Sequence, residues 1–174
     1  MKISLTKLFA QDGKSEKYEI PLTSETFSIG GQDYRVIEKH PVILGLTHED
    51  NRVITITGSA DLTMEIPCAR CLTPVATPFQ LEFDLQIDLN LSEEEREEKE
   101  EDSSFVEGDE LDVEELVRNE LIVQWPIRVL CKDDCKGICS RCGANLNIQT
   151  CDCDTTGLCL LYTSDAADDL IGVD

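Results

Sequence analysis

The 174-residue sequence predicts an α+β protein: a mostly antiparallel domain, either an open β-sheet or barrel-like, then one C-terminal helix and a zinc-ribbon-like cysteine tail. Three observations carry this. The first ninety residues hold β-branched and alternating apolar runs with no helical pattern between them, which argues against parallel βαβ units. One helical stripe with a good start signal follows. Six of the nine cysteines then fall in CKDDCKGICSRCGANLNIQTCDC, residues 131–153.

KISLTKL (2–8) is a short alternating run. YRVIEKHPVILGLTH (34–48) gives two apolar pieces split by Pro41. RVITITGSADLTMEI (52–66) is rich in β-branched residues and reads as a strand broken at Gly58. In FQLEFDLQIDL, Phe79, Leu81, Phe83, Leu85, Ile87 and Leu89 alternate strictly with polar residues, the pattern of a long antiparallel strand with one wet face. PCARCLTPVATP carries Cys68 and Cys71 at a turn, and its Pro67, Pro74 and Pro78 predict that ladder pairing stops there. These runs make 1–91 the β domain.

Residues 92–110 read as an acidic flexible linker. From Glu93 to Glu115 there are fourteen acids and two bases, a local net charge of -12. A basic partner would suit the same composition. In LDVEELVRNELIVQW, Asp112 is a candidate N-cap, with Glu115 three residues on for a capping box and Leu111 and Leu116 for a hydrophobic staple. Val113, Leu116, Val117, Glu120 and Leu121 form a mostly apolar stripe that docks on the domain's own core. Pro126 stops the helix, so 111–126 is its span, and Trp125 is expected to pack on the sheet.

Eight cysteines form pairs: Cys68-x2-Cys71, Cys131-x3-Cys135, Cys139-x2-Cys142 and Cys151-x1-Cys153. Four thiolates around one ion is how structural zinc is held. Gly143 directly after Cys142 is a zinc-knuckle signal, and Gly137 allows a similar turn. The economical partition puts Cys139, Cys142, Cys151 and Cys153 in one site, and joins Cys68 and Cys71 to Cys131 and Cys135 in another. About two structural zinc ions are therefore expected. A single six-cysteine cluster with Cys68 and Cys71 free is the alternative partition. The segment 127–154 becomes a zinc-ribbon-like tail, too short and polar to fold on its own core.

Other thiol chemistry fits less well. No apolar run resembling a signal peptide opens the chain and no stretch approaches a membrane span, so a reducing cytoplasmic setting is expected, where disulfides are rare. Cysteine spacings match neither ferredoxin pattern, and Cys68-x2-Cys71 lies amid strands rather than at a helix start. His40 and His48 sit in strand-rich sequence and suit surface or core roles. No phosphate loop, nucleophile elbow or HExxH occurs. A catalytic function is not expected. A net charge of -21 disfavours a grip on DNA or RNA phosphates and suits basic protein partners. Only 5% of residues are aromatic, so no stacking platform for single strands stands out.

PCARCLTPV after a β-meander, an acidic linker, a helix ending in WPIR, and CKDDCKGICSRCGANLNIQTCDCD together resemble the YceD family over about residues 2–154. These are the large ribosomal RNA subunit accumulation proteins of bacteria and plastids. The resemblance implies an accessory role in 23S ribosomal RNA synthesis, processing or stability, with a large-subunit precursor as partner through ribosomal protein or RNA. It implies no enzyme activity. Some shorter relatives lack the CxxC/CxC tail and keep the sheet-turn CxxC with a further pair after the helix. Two rivals remain. One is direct RNA binding by the tail, where Arg128, Lys132, Lys136 and Arg141 are nearly cancelled by Asp133, Asp134 and Asp152. The other is a thiol redox or zinc-buffering protein. The end of the chain, 155–174, departs from the family pattern, leaves Cys159 unpaired and reads as foreign sequence, so no function is assigned to it.

Overall fold

The computed structural model describes residues 1–49, 51–91, 95 and 104–153. The tail 155–174 and most of the acidic run, including 96–103, lie outside the described residues. Every strand pair is antiparallel.

The main sheet is four antiparallel runs. The first is β2 (Ser15–Ile20) and β3 (Thr26–Ile29), and the second is β4 (Gln32–Lys39) and β5 (Val42–His48). The third and fourth are the long strands β6 (Val53–Pro67) and β7 (Pro74–Asp88). One edge of β6 takes β5 and then β4, and the other edge takes β7 along its whole length. The breaks at 21–25 and 40–41 lie beside each other, where Pro21 and Pro41 deny the ladder a donor. Polar side chains satisfy the backbone freed there. Lys39 Nζ donates to the carbonyls of Thr23 and Ser24 at 3.0 and 2.9 Å. Glu114 accepts from the amides of Thr23 and Ser24 at 3.0 and 3.1 Å.

Two sequence expectations for this domain are corrected, two strands are added, and the open sheet holds over the barrel. Gly58 does not break its strand. It faces Leu44 across the ladder, and a Cβ there would lie 2.0 Å from the Ile43 carbonyl oxygen, so glycine is required for close approach of β5. The prolines do not stop pairing either: the β6–β7 ladder runs from Val53↔Asp88 to Pro67↔Pro74, with Pro78 opposite Thr63. Among the described residues β7 pairs only with β6, so its outer edge needs no proline donor. Two short strands, β2 and β3, carried too few apolar residues to stand out. Finally, the sheet does not close as a barrel among the described residues, since β2, β3 and β7 are unpaired on their outer sides.

A helix and a small second sheet cover what strand pairing leaves open. Strand β1 (Lys2–Ser4) pairs with β9 (Glu110–Asp112), which pairs with β8 (Val106–Glu107). The run 2–8 is thus a strand only to Ser4. Leu5 and Leu8 turn inward instead, and both are buried. The linker reading of 92–110 stops short of 104–110, where Phe105 and Val106 are buried and β8 forms. Helix α1 (Val113–Val123) is shorter than the expected 111–126, because Leu111 belongs to β9. Asp112 caps it, accepting from the amides of Glu114 and Glu115. The reciprocal half of the capping box is absent: the Asp112 amide donates to the Phe105 carbonyl, and Glu115 pairs with Arg118.

Val113, Leu116, Val117 and Leu121 bury the helix stripe in one core with Leu44, Leu46, Ile54, Ile56, Met64 and Leu81. The helix touches both β3 and β7, the two outer strands at its end of the sheet. Trp125 follows and packs on the sheet as expected, 5.6 Å from the Phe79 ring and 4.7 Å from Tyr34. His48 is buried, its ring 5.3 Å from Phe9, and His40 is exposed. No helix among the described residues is long and apolar enough to cross a membrane.

Candidate metal centre

The β6–β7 hairpin ends in the turn that carries Cys68 and Cys71. The chain leaving α1 returns to this turn, where the Ala69 amide donates to the Val129 carbonyl at 2.8 Å. That contact places Cys131 and Cys135 against the turn. Cys68 Sγ lies 3.8 Å from Cys135 Sγ, and Cys71 Sγ lies 3.5 Å from Cys131 Sγ. A tetrahedral ion with sulfur at ~2.3 Å would set sulfurs about 3.8 Å apart. Cys68, Cys71 and Cys135 are buried in a small cluster of their own with Val75 and Leu130, separate from the main core.

Cys139, Cys142, Cys151 and Cys153 gather into a second group. In each group the four sulfurs lie within 4.8 Å of one another, so each could hold a metal ion. The economical partition is therefore the one the fold adopts, and a six-cysteine cluster is not formed. The first group is mostly buried. The second is more open, with only Cys139 fully covered.

Both groups contain the same turn. The amide of the residue after the second cysteine returns to the carbonyl of the first: Leu72 to Cys68 and Gly143 to Cys139, each at 2.9 Å. Both residues are left-handed, Leu72 at φ 60° and Gly143 at φ 72°. Amides inside the turn point at the first sulfur. Burial raises the Cys68 thiol pKa, but the amides of Arg70, Cys131 and Cys71 outweigh it and bring it down to about 6. Amides of Cys142 and Arg141 bring Cys139 down to about 6 as well. Their neighbours hold the protons: Cys71 pushes Cys131 up to about 12, and Cys142 does the same to Cys153. Thiols that share protons in this way are a donor set ready to exchange them for a cation.

The residues around the sulfurs were not legible as site residues. Arg70 Nη1 donates to the Cys135 carbonyl at 2.8 Å. Thr73 Oγ1 lies 3.2 Å from Cys71 Sγ. Asn147 Nδ2 donates to Cys135 Sγ at 3.3 Å. Only the position of the ANLN run directly after a knuckle glycine hinted at them. The tail 127–153 shows a single isolated bridge, Ile138 to Asn145, so among the described residues it is one knuckle turn at 139–143 with loops around it, without the strands of a full ribbon.

A family model described as "Large ribosomal RNA subunit accumulation protein YceD" matches residues 56–158, more than half of the chain. The chain belongs to the YceD family. That match takes in β7, the helix and all eight paired cysteines, so both four-cysteine groups fall inside the family region. The chloroplastic Large ribosomal RNA subunit accumulation protein YCED homolog 1 of Arabidopsis thaliana is 41% identical over 44 residues, 25% of this chain and 14% of that one. Uncharacterized proteins of Mycobacterium bovis and Mycobacterium tuberculosis are 26% identical over 93 residues, 53% of this chain and 45% of theirs. The matches thus span less than half the length of these relatives. No solved structure matches the chain.

Proposed function

We propose that the protein is a non-catalytic accessory factor for large ribosomal subunit biogenesis, acting in the cytoplasm and carrying two structural zinc ions. Membership in the YceD family is the observation that supports the ribosomal part. The all-sulfur donor sets and their amide-lined turns support zinc over the oxygen-seeking divalent ions. Each set supplies four protein ligands, which leaves no open position for catalysis.

Charge favours a protein partner over RNA. The turn 68–71 and residues 127–153 together carry five bases and three acids, and each divalent ion in four thiolates adds a net charge of -2, so the loaded metal end is net -2. Phosphate contacts need the opposite sign. A basic ribosomal protein, held with the help of the acidic run, is the partner we infer.

Sedimentation of tagged protein from lysate at moderate salt tests this. Co-migration with large-subunit precursors is expected. Deleting 93–103 should weaken that association and flatten its salt dependence; the cut stops short of Phe105 and Val106, which are buried. Signal confined to the top fractions would move the assignment to a thiol or zinc-buffering function. That alternative predicts that thiols are alkylated without a chelator, whereas structural thiolates resist until the metal is removed.

A further inference from the structure

The two cysteine groups are joined by side chains as well as by sequence. Cys142 and Cys151 bracket the loop 143–150, so the second group fixes both ends of that loop. The loop folds back through Cys139 N to Ala144 O at 2.8 Å and Leu146 N to Gly137 O at 2.9 Å. Its two asparagines then reach the first group.

Asn147 is fully committed. Its Oδ1 accepts from the Lys136 amide at 2.9 Å. An amide can only donate, so this contact fixes the orientation of the side chain. The Nδ2 group must therefore face Cys135 Sγ, 3.3 Å away, and Asn145 Oδ1, 2.9 Å away. Asn145 Nδ2 in turn donates to Thr73 Oγ1 at 3.3 Å. The Cys71 thiol donates to the same oxygen at 3.2 Å; once a metal ion replaces that proton, the Thr73 hydroxyl can turn and donate to the thiolate while its oxygen still accepts from Asn145. A loop held by the second group thus supplies hydrogen bonds, direct or relayed, to two sulfurs of the first. Hydrogen bonds of this kind orient metal ligands and damp their charge.

Resting on the reading that both groups hold metal, we propose that the second group controls the first: metal in Cys139, Cys142, Cys151 and Cys153 fixes Asn147 and Asn145 as positioning residues, and so tightens metal at Cys68, Cys71, Cys131 and Cys135. Linkage makes the coupling reciprocal, so loading the first site also tightens the second. The tail then loads and unloads as one unit.

The test is a binding cycle on the full chain with zinc in competition with a chromophoric chelator. Cys151→Ser/Cys153→Ser leaves only the first site, and Cys131→Ser/Cys135→Ser leaves only the second. Independent sites require the overall constant of the unaltered chain to equal the product of the two single-site constants. Coupling predicts an excess of about tenfold or more. Asn147→Asp keeps the Lys136 contact and the shape but loses the donor, so the excess should collapse. With cobalt as probe, the same variant should move the sulfur-to-metal charge-transfer band of the first site to longer wavelength, which a merely structural loss would not do. An overall constant within twofold of the product, or an unmoved band, overturns the coupling while two ions per chain still bind. Fewer than two ions in the unaltered chain overturns the metal reading itself.

Discussion

Leu72 shows how the two knuckles differ by one residue. It stands where Gly143 stands in the second turn, with the same hydrogen bond and the same left-handed backbone. A β-carbon in that conformation costs roughly 1–2 kcal/mol, partly offset by the larger unfolded-state freedom of glycine. Leu72→Gly should therefore stabilise the loaded protein by about 0.5–1 kcal/mol in urea unfolding. A loss of stability would show that the exposed Leu72 side chain matters more than its backbone. Gly58 is the opposite case. Its β-carbon would meet the Ile43 carbonyl at 2.0 Å, a backbone atom that cannot step aside. Gly58→Ala should cost about 3 kcal/mol, read as a lower urea midpoint at unchanged slope.

At the scale of elements, Glu114 ties α1 to the break between β2 and β3. Partial burial raises its pKa, but hydrogen bonds from the hydroxyls and amides of Thr23 and Ser24 outweigh that and hold it at about 2. A depressed carboxyl stabilises the fold above its ordinary value of 4.5 and loses that contribution as pH falls towards 2. Glu114→Ala should cost about 2 kcal/mol at pH 7, the scale of hydrogen bonds to a charged group. The gap between the variant and the parent should narrow between pH 4.5 and 2, measured by urea unfolding at several pH values. A gap independent of pH would mean that the charge is not what holds the loop. The helix starts after Leu111, which fits the helical stripe by spacing yet pairs with Ile3 as part of β9.

For the whole molecule, the metal end and the core are separate in packing. Cys68, Cys71 and Cys135 cluster apart from the apolar core that joins the sheet to α1. Removing metal should therefore unfold 127–153 and loosen the turn at 68–73, while the centre of the β6–β7 ladder keeps its protection. Hydrogen exchange with and without a strong chelator reads this directly. Loss of protection throughout β6 and β7 would mean that the metal holds the domain together.

Local spacing alone carries the antiparallel class, the alternating run inside β7, the Asp112 cap, the docking of Trp125 and the pairing of eight cysteines, while the fold chooses the two groups of four over a six-cysteine cluster. Each rests on local spacing: a period of two, a cap beside an apolar stripe, or short cysteine pairs with a glycine behind them. Tertiary structure decided what spacing cannot carry. It showed that Gly58 and the prolines lie within ladders, because an edge position or a close strand neighbour is a fact about other segments. It left the sheet open under α1, because strand pairing across distant runs is set by packing. And it brought Asn147 to Cys135, because a hydrogen bond between two loops depends on how both are folded.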